Sequence, residues 1–524
     1  MKKVIGIGKQ SFEDIIQSNC FYIDKTSLIK EWWESEDDIT LITRPRRFGK
    51  TLNMDMLKCF FSNQYRDQGQ LFEGLNIWKE EKYQQLQGTY PVIYLSFADV
   101  KQTNYKDAVL KIKKIITDVY QQYIELAGWE GLTEVQVRQF QSVDPYMDDV
   151  TAQCALKDLS GYLYRYYEKK VIILLDEFDT PMQEAYLYGY WKEFTAFIRS
   201  LFNATFKTNP YLERAMMTGI TRVSKESVFS DLNNLNVVTT TSTEYETCFG
   251  FSEEEVFQAL EERGMNNQKK LVKSWYDGFV FGNTHDIYNP WSITNFLDKK
   301  QVRPYWADTS SNSMIDELIR KASTDIKEKM EELLQGKEIV VNFDEQIVFE
   351  QLDQDENAIW SLMLVSGYLK AEQIEYRGVL LEPWYHLRIT NLETTAMFTT
   401  MFKGWFAKNQ SNYNQFMKAL LSDDIDAMNY YMNQIIMTTF SYFDVGQNEP
   451  ERFYHGFVLG LIADQTDIKV RNIKREESLE DTVQTALTQI KEKCYDAELY
   501  DRGLKKEEIH HYGFAFEGKK VLIG

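Results

Sequence analysis

The chain has 524 residues, 44% hydrophobic, 14% aromatic and 26% charged, with a formal net charge of -20. At roughly 100–200 residues per domain this length predicts about three domains with sizeable cores. Acidity on this scale excludes a general electrostatic attraction to nucleic acid, so any such contact needs a local basic patch.

In chain order, residues 39–240 alternate short apolar runs with longer helical patterns. The runs are Ile39–Thr43, Val92–Phe97, Val171–Leu175, Ala215–Thr218 and Asn236–Thr239. Each has the length and continuous apolar character of a strand buried on both faces. The alternation predicts an α/β fold with a parallel sheet covered by helices. Residues 252–300 read as helical, ending near Tyr288–Trp291. A helical run then reaches Leu364, a turn falls at Ser366 and Gly367, and two strand-like segments end at Leu387–Ile389. Helices followed by a hairpin are read either as a small winged-helix-like module or as a plain α+β connector. Residues 410–462 are again helical, and Tyr512–Ile523 reads as a hairpin reversing at Gly518. The longest apolar runs are too short to span a bilayer, and the first residues lack the apolar stretch of a secretory signal. Cysteines 20, 59, 154, 248 and 494 form no CxxC pair and no metal spacing. They are read as reduced thiols, which places the protein in a cytoplasm.

Thr43–Thr51 follows a strand and precedes a helix with apolar residues at Leu52, Met56, Leu57 and Phe60. That is the context of a phosphate-binding P-loop. Arg44, Pro45, Arg46, Arg47, Phe48, Gly49, Lys50 and Thr51 form the expected nucleotide-binding set. Backbone N–H groups surround the phosphates, Lys50 reaches the β- and γ-phosphates, and the Thr51 hydroxyl ligates Mg²⁺. The strict pattern has glycine where Arg44 stands, so the loop is expected to turn there without a permissive residue. A second motif ends the strand Val171–Leu175 in two carboxylates. Asp176 fits as the Mg²⁺-associated acid and Glu177 as the base that activates water. The strand-like segment Val92–Phe97 lies between the motifs and predicts an extra strand between the P-loop strand and the acidic strand. A third strand ends at Thr218, whose hydroxyl can orient the water, and Arg222 can stabilise charge on the γ-phosphate. A capped strand followed by a surface arginine remains the alternative for that pair.

These residues resemble a predicted AAA-ATPase-like family of bacterial proteins that carry a C-terminal PD-(D/E)XK nuclease-like domain. The resemblance rests on Tyr22–Thr26, Arg44–Thr51, Leu175–Pro181, Thr218–Arg222, Phe229–Asn234, Trp275–Gly278, Tyr288–Ser292, Tyr305–Ser311, Phe453–Phe457 and Gly513–Phe516. It makes the arginine at 44 a family trait, whereas Asp231 departs from the family's usual glycine. It implies an AAA-like P-loop core over residues 1–250, a helical lid over 251–310, an α+β region over 311–405 and a nuclease-like α/β domain over 406–524. Asp24 and Lys25, within the first motif, are expected near the nucleotide.

A nuclease centre of that kind needs an Asp on one strand and a Glu/Asp-x-Lys on its neighbour, together holding a divalent metal. The resemblance puts those strands between the helix around His455–Phe457 and the helix beginning near Ser478. Only Asp464–Glu477 is available there, barely enough for two strands with their turns. The literal match Asp464 with Asp467–Lys469 leaves no room for a reversal between its acids, so the catalytic hairpin reads as removed. His510 and His511 lack acidic or cysteine neighbours at ligand spacing and read as a surface pair. Three functions stay open: an ATPase driving conformational change, a nucleotide-gated switch with little turnover, and an ATP-dependent DNA nuclease. ATP and Mg²⁺ are the implied ligands. A DNA or protein partner and a homo-oligomer are compatible with all three readings.

Overall fold

All five apolar runs become strands: β1 Ile39–Thr43, β2 Val92–Ser96, β3 Val171–Asp176, β4 Leu212–Gly219 and β5 Leu235–Val238. Every pairing between them is parallel, in the order β2-β3-β4-β1-β5. Every residue of β1 and β3 is buried. That is why these segments read as unbroken apolar runs instead of alternating ones. Ile42, Ile172, Leu174, Met216 and Val238 share a core with Met54, Leu57 and Phe60 of the helix Lys50–Phe61. The strand between the P-loop strand and the acidic strand is β4, not the Val92 segment, which becomes edge strand β2. Sequence order does not give strand order, because a parallel sheet can insert a later strand through a long crossover.

The structure is a computed structural model and describes residues 3–221, 229, 232–307, 313–345, 355–405, 410–439, 478–501, 504–517 and 520–524. The chain divides into one unit of Met1–Ser310 with Val340–Glu393 and another of Ser311–Ile339 with Thr394–Gly524. No described helix is long and apolar enough to cross a membrane.

Residues 252–300 are not helical throughout. Helices Glu253–Glu262 and Lys269–Tyr276 are flanked in sequence by the strands of a three-stranded antiparallel sheet, β6 Phe251–Ser252, β8 Thr284–Tyr288 and β7 Phe279–Phe281. Strands of two to five residues are too short for a periodic signal to separate them from helix. Tyr288–Trp291 also begins a helix instead of ending one. Asn289 accepts bonds from the Trp291 and Ser292 N–H groups at 2.9 and 3.3 Å, and Pro290 opens Pro290–Lys299. Proline is favoured there because the first helical N–H has no partner within the helix. Gly278 has φ 119°, and a Cβ on it would lie 2.1 Å from the Thr390 carbonyl oxygen, so only glycine fits.

The helix expected to end at Leu364 is Ala358–Val365, and Gly367 turns with φ 83° into the hairpin β10 Leu369–Arg377 and β11 Glu382–Ile389. A third strand, β9 Ile339–Asn342, completes that sheet. In the other unit, helices Gln410–Leu421 and Ile425–Thr439 and the pair β12 Phe514–Glu517 and β13 Lys520–Ile523 match the expected pattern. Asn429 and Asn433 bond the backbone of Ile523 and Val521. Asp231, His455, the segment Asp464–Glu477 with Asp467 and Lys469, and the reversal at Gly518 lie outside the described residues.

Candidate functional site

Strand order brings three strand ends together. β1 and β4 pair with Ile42 beside Thr218 and Thr43 beside Gly219, and β4 pairs with β3 up to Leu175 beside Met217. The loop after β1, Asp176 ending β3 and Thr218 near the end of β4 therefore meet at the carboxyl edge of the sheet, where open α/β sheets bind ligands.

The loop closes on itself through Lys50. Its ammonium donates to the carbonyls of Arg44 and Pro45, both at 3.0 Å. An ammonium carries three N–H donors, so this tether fixes the side chain across the loop and leaves capacity for an anion. Burial pushes the Lys50 pKa down, and the carboxylates of Glu177, Asp179 and Asp176 oppose that shift. Gly49 takes φ 81° as it enters the helix, and Arg47 takes φ 67°.

Arg44 does not need a permissive φ, since the left-handed positions of the loop are 47 and 49. Its side chain is fully buried and points away from the loop mouth. It donates to the carbonyls of Thr43 at 2.9 Å, Thr239 at 2.7 Å and Glu244 at 3.3 Å. The guanidinium also lies 4.6 Å from the Phe281 ring centre, and burial pushes its pKa down to about 10. Arg44 thus offers the site its backbone, while its side chain ties down the segment after β5. Pro45 packs where a side chain on Gly367 would collide with it. Phe48 is buried against Phe279 and Phe281, at 4.8 and 5.3 Å between ring centres. Exposed Arg47 stacks over Trp291 at 4.4 Å. Half-buried Arg46 reaches Gln183 Oε1 at 3.4 Å, and its carbonyl accepts from Asn289 at 3.3 Å.

Asp176 is the hub. Its two oxygens accept from the Thr51 hydroxyl at 2.8 Å and the Thr218 hydroxyl at 2.5 Å. Burial pushes its pKa up, and those two hydroxyls partly offset the shift. Glu177 has φ 52°, uncommon for a residue with a side chain, and accepts from the Thr180 hydroxyl at 2.9 Å. Such strain concentrates at functional sites. Thr51 and Asp176 present a hydroxyl and a carboxylate to one point, a hard oxygen donor set of the kind Mg²⁺ selects. Arg222 lies outside the described residues.

Asp179, inside the Leu175–Pro181 motif but given no role from sequence, is fully buried. One of its oxygens accepts from the N–H of Ile220 at 2.9 Å, the N–H of Thr221 at 2.7 Å and the Thr221 hydroxyl at 2.8 Å. Gln183 donates to the same oxygen at 3.2 Å. The motif Asp-Glu-x-Asp was the available signal, but a carboxylate two residues beyond the pair reads as turn solvation until β4 is seen beside it. Asp24 and Lys25 each have partners within the fold. Asp24 accepts from Thr26 and from the Asn76 N–H, while Lys25 pairs with Glu255 at 2.7 Å and bonds the Thr247 carbonyl. His511 meets Asp496 at 2.7 Å and His510 lies 3.5 Å from Asp423, so each histidine has an acidic partner far away in sequence.

This chain is 25% identical over 402 residues to a protein of Azotobacter chroococcum mcd 1 named "Uncharacterized protein in vnfD 5'region", covering 75% of this chain and 69% of that one. Residues 6–229, which contain the loop, Asp176, Glu177, Thr218 and the first four strands of the sheet, match the AAA-ATPase-like family model, described as a predicted AAA-ATPase.

Proposed function

We propose that this chain is an ATPase that binds ATP with Mg²⁺ at the loop Arg44–Thr51 and hydrolyses it. The observation that carries the reading is the convergence of Thr51 and Thr218 on Asp176 beside a tethered Lys50. The loop N–H groups and Lys50 hold the phosphates, with Thr51 and Asp176 as the metal's protein partners. Mg²⁺ held by those residues would supply positive charge against the triphosphate. Glu177, oriented by Thr180, takes a proton from the water that attacks the γ-phosphorus, and ADP departs. Thr218 keeps Asp176 in place from the β4 side.

In the finer reading, turnover drives conformational change in the C-terminal part, a nuclease-like domain without its catalytic hairpin, acting in a bacterial cytoplasm on a nucleic-acid or protein partner. Support for that part is the sequence resemblance alone. The test of the core reading is calorimetry and steady-state turnover. Lys50→Ala should abolish tight ATP binding. Glu177→Gln should keep binding and slow turnover by about 10²–10⁴. Parental ATP affinity in Lys50→Ala would overturn the loop assignment, and parental turnover in Glu177→Gln would move the base elsewhere.

A further inference from the structure

The loop presents two consecutive arginines that sequence cannot tell apart, and the fold separates them. Arg47 turns outward through its left-handed backbone and stacks on Trp291. Arg46 turns the other way, toward the helix Thr180–Leu187, which follows the acidic end of β3, and meets the amide oxygen of Gln183. Gln183 is itself oriented: its amide N–H donates to Asp179, and Asp179 is fixed by three bonds from the start of the segment after β4. A fixed acceptor therefore points at Arg46 from a buried network that rests on two strands.

Three features distinguish this contact from an ordinary surface pair. Among the described residues no ion pair joins Arg46 to a carboxylate, although the chain carries a net charge of -20 and Gln183, the partner of Arg46, is bonded to Asp179. Its bond to Gln183 is 3.4 Å, longer than a well-formed N–H···O bond, so leaving it is easy. Its charge also acts on Lys50, though less than burial and the nearby carboxylates do. Arg46 and Lys50 belong to one loop, a pair of cations suited to a polyanion even with Glu177, Asp179 and Asp176 acting on Lys50.

We propose that Arg46 is the arginine, supplied from the loop itself, that stabilises charge on the γ-phosphate as it transfers, and that Gln183 and Asp179 are its positioning residues. This rests on the ATPase reading and assigns the transition-state cation within it. A guanidinium offers planar paired donors that match phosphoryl oxygens. Gln183 holds it beside the phosphate end and gives it up when a better acceptor arrives.

The test separates transition-state from ground-state binding. Arg46→Ala should lower kcat by about 10²–10³, the usual cost of one transition-state donor. KM for ATP and the affinity for ADP should stay within about twofold, since the donor is not spent on ground-state binding. Parent protein should bind ADP with fluoroaluminate more tightly than ADP alone, and Arg46→Ala should lose that preference. Arg46→Lys should recover part of kcat, and Gln183→Leu should lower kcat with KM preserved. Parental kcat and fluoroaluminate preference in Arg46→Ala would overturn this assignment and leave the ATPase reading standing. Equal loss of ADP affinity and kcat would overturn it too, making Arg46 a ground-state ligand. Failure of the parent itself to bind ADP or ATP would remove the ATPase reading and this inference with it.

Discussion

Arg44 occupies the position that a strict P-loop gives to glycine, and its side chain accounts for the exchange. The loop needs left-handed backbone at 47 and 49 but not at 44, so a side chain is sterically free there. The guanidinium then donates to the carbonyls of Thr43, Thr239 and Glu244, and the Thr239 carbonyl accepts from the Ser242 N–H as well. Arg44→Gly, which restores the strict pattern, should therefore destabilise the protein. Hydrogen bonds from a charged donor, at about 1.5–3 kcal/mol each, predict a loss of roughly 3 kcal/mol or more. Arg44→Lys should rescue little, because a point charge cannot reach diverging carbonyls as a planar fork does. Urea unfolding reads both, and an unchanged midpoint in Arg44→Gly would refute the bracing role. Lys50, Thr51, Asp176 and Glu177 could be placed at the carboxyl edge of the sheet from sequence because they follow strand ends at short offsets. Asp179 and Gln183 could not, because their partners on β4 and in the loop are distant in sequence.

At the level of elements, the sheet β6–β8 and its two helices form a module that carries a titrating cluster. Asp277, Asp286 and Glu253 approach one another closely enough to share an ion, and Lys273 lies among them, bonded to Glu253, 3.5 Å from Asp286 and 3.8 Å from Asp277. The Tyr288 hydroxyl donates to Glu253 at 3.2 Å. Burial, with the Asp286 carboxylate next in weight, pushes the Asp277 pKa up to about 7. A folded pKa above the unfolded value means that the fold prefers the protonated acid. The stability this group contributes is full below about pH 4 and is lost as pH rises through about 7. Asp277→Asn mimics the protonated form and keeps an oxygen for the Gly278 N–H. Its Tm should match the parent at pH 4 and exceed it at pH 8, by roughly 2–4 °C for each kcal/mol relieved. A Tm difference that is the same at both pH values would show that the effect is not titration. The module's strands escaped the sequence reading because a three-residue strand such as Phe279–Phe281 also fits one turn of an apolar helix.

At the scale of the whole molecule, residues 340–393 return to the unit formed by the first 310 residues, so the unit that carries the Arg44–Thr51 loop is discontinuous in sequence. The span Asp464–Glu477 still carries a prediction of its own. Two carboxylates three residues apart cannot sit on paired strands, so this pair does not supply the converging carboxylates that a nuclease of this kind needs to hold a water-activating metal. The purified chain should not cleave plasmid or single-stranded DNA, or RNA, with Mg²⁺ or Mn²⁺. Cleavage that disappears in Asp467→Ala or Lys469→Ala would restore the literal motif as a nuclease centre.

By itself the sequence determined the five strands of the sheet, the loop between β1 and its helix, and the acidic end of β3. Continuous apolar runs and fixed motif offsets are local properties, and local physics writes them directly into the chain. Only the tertiary structure decided that β4 stands between β1 and β3, which brings Thr218 to Asp176 and Asp179 to Thr221. Only the fold, too, turned Arg44 into the interior, Arg47 onto Trp291 and Arg46 toward Gln183. Three arginines of one loop share a composition and a spacing. What separates them is the backbone φ at each position and the partner that a distant strand or helix delivers.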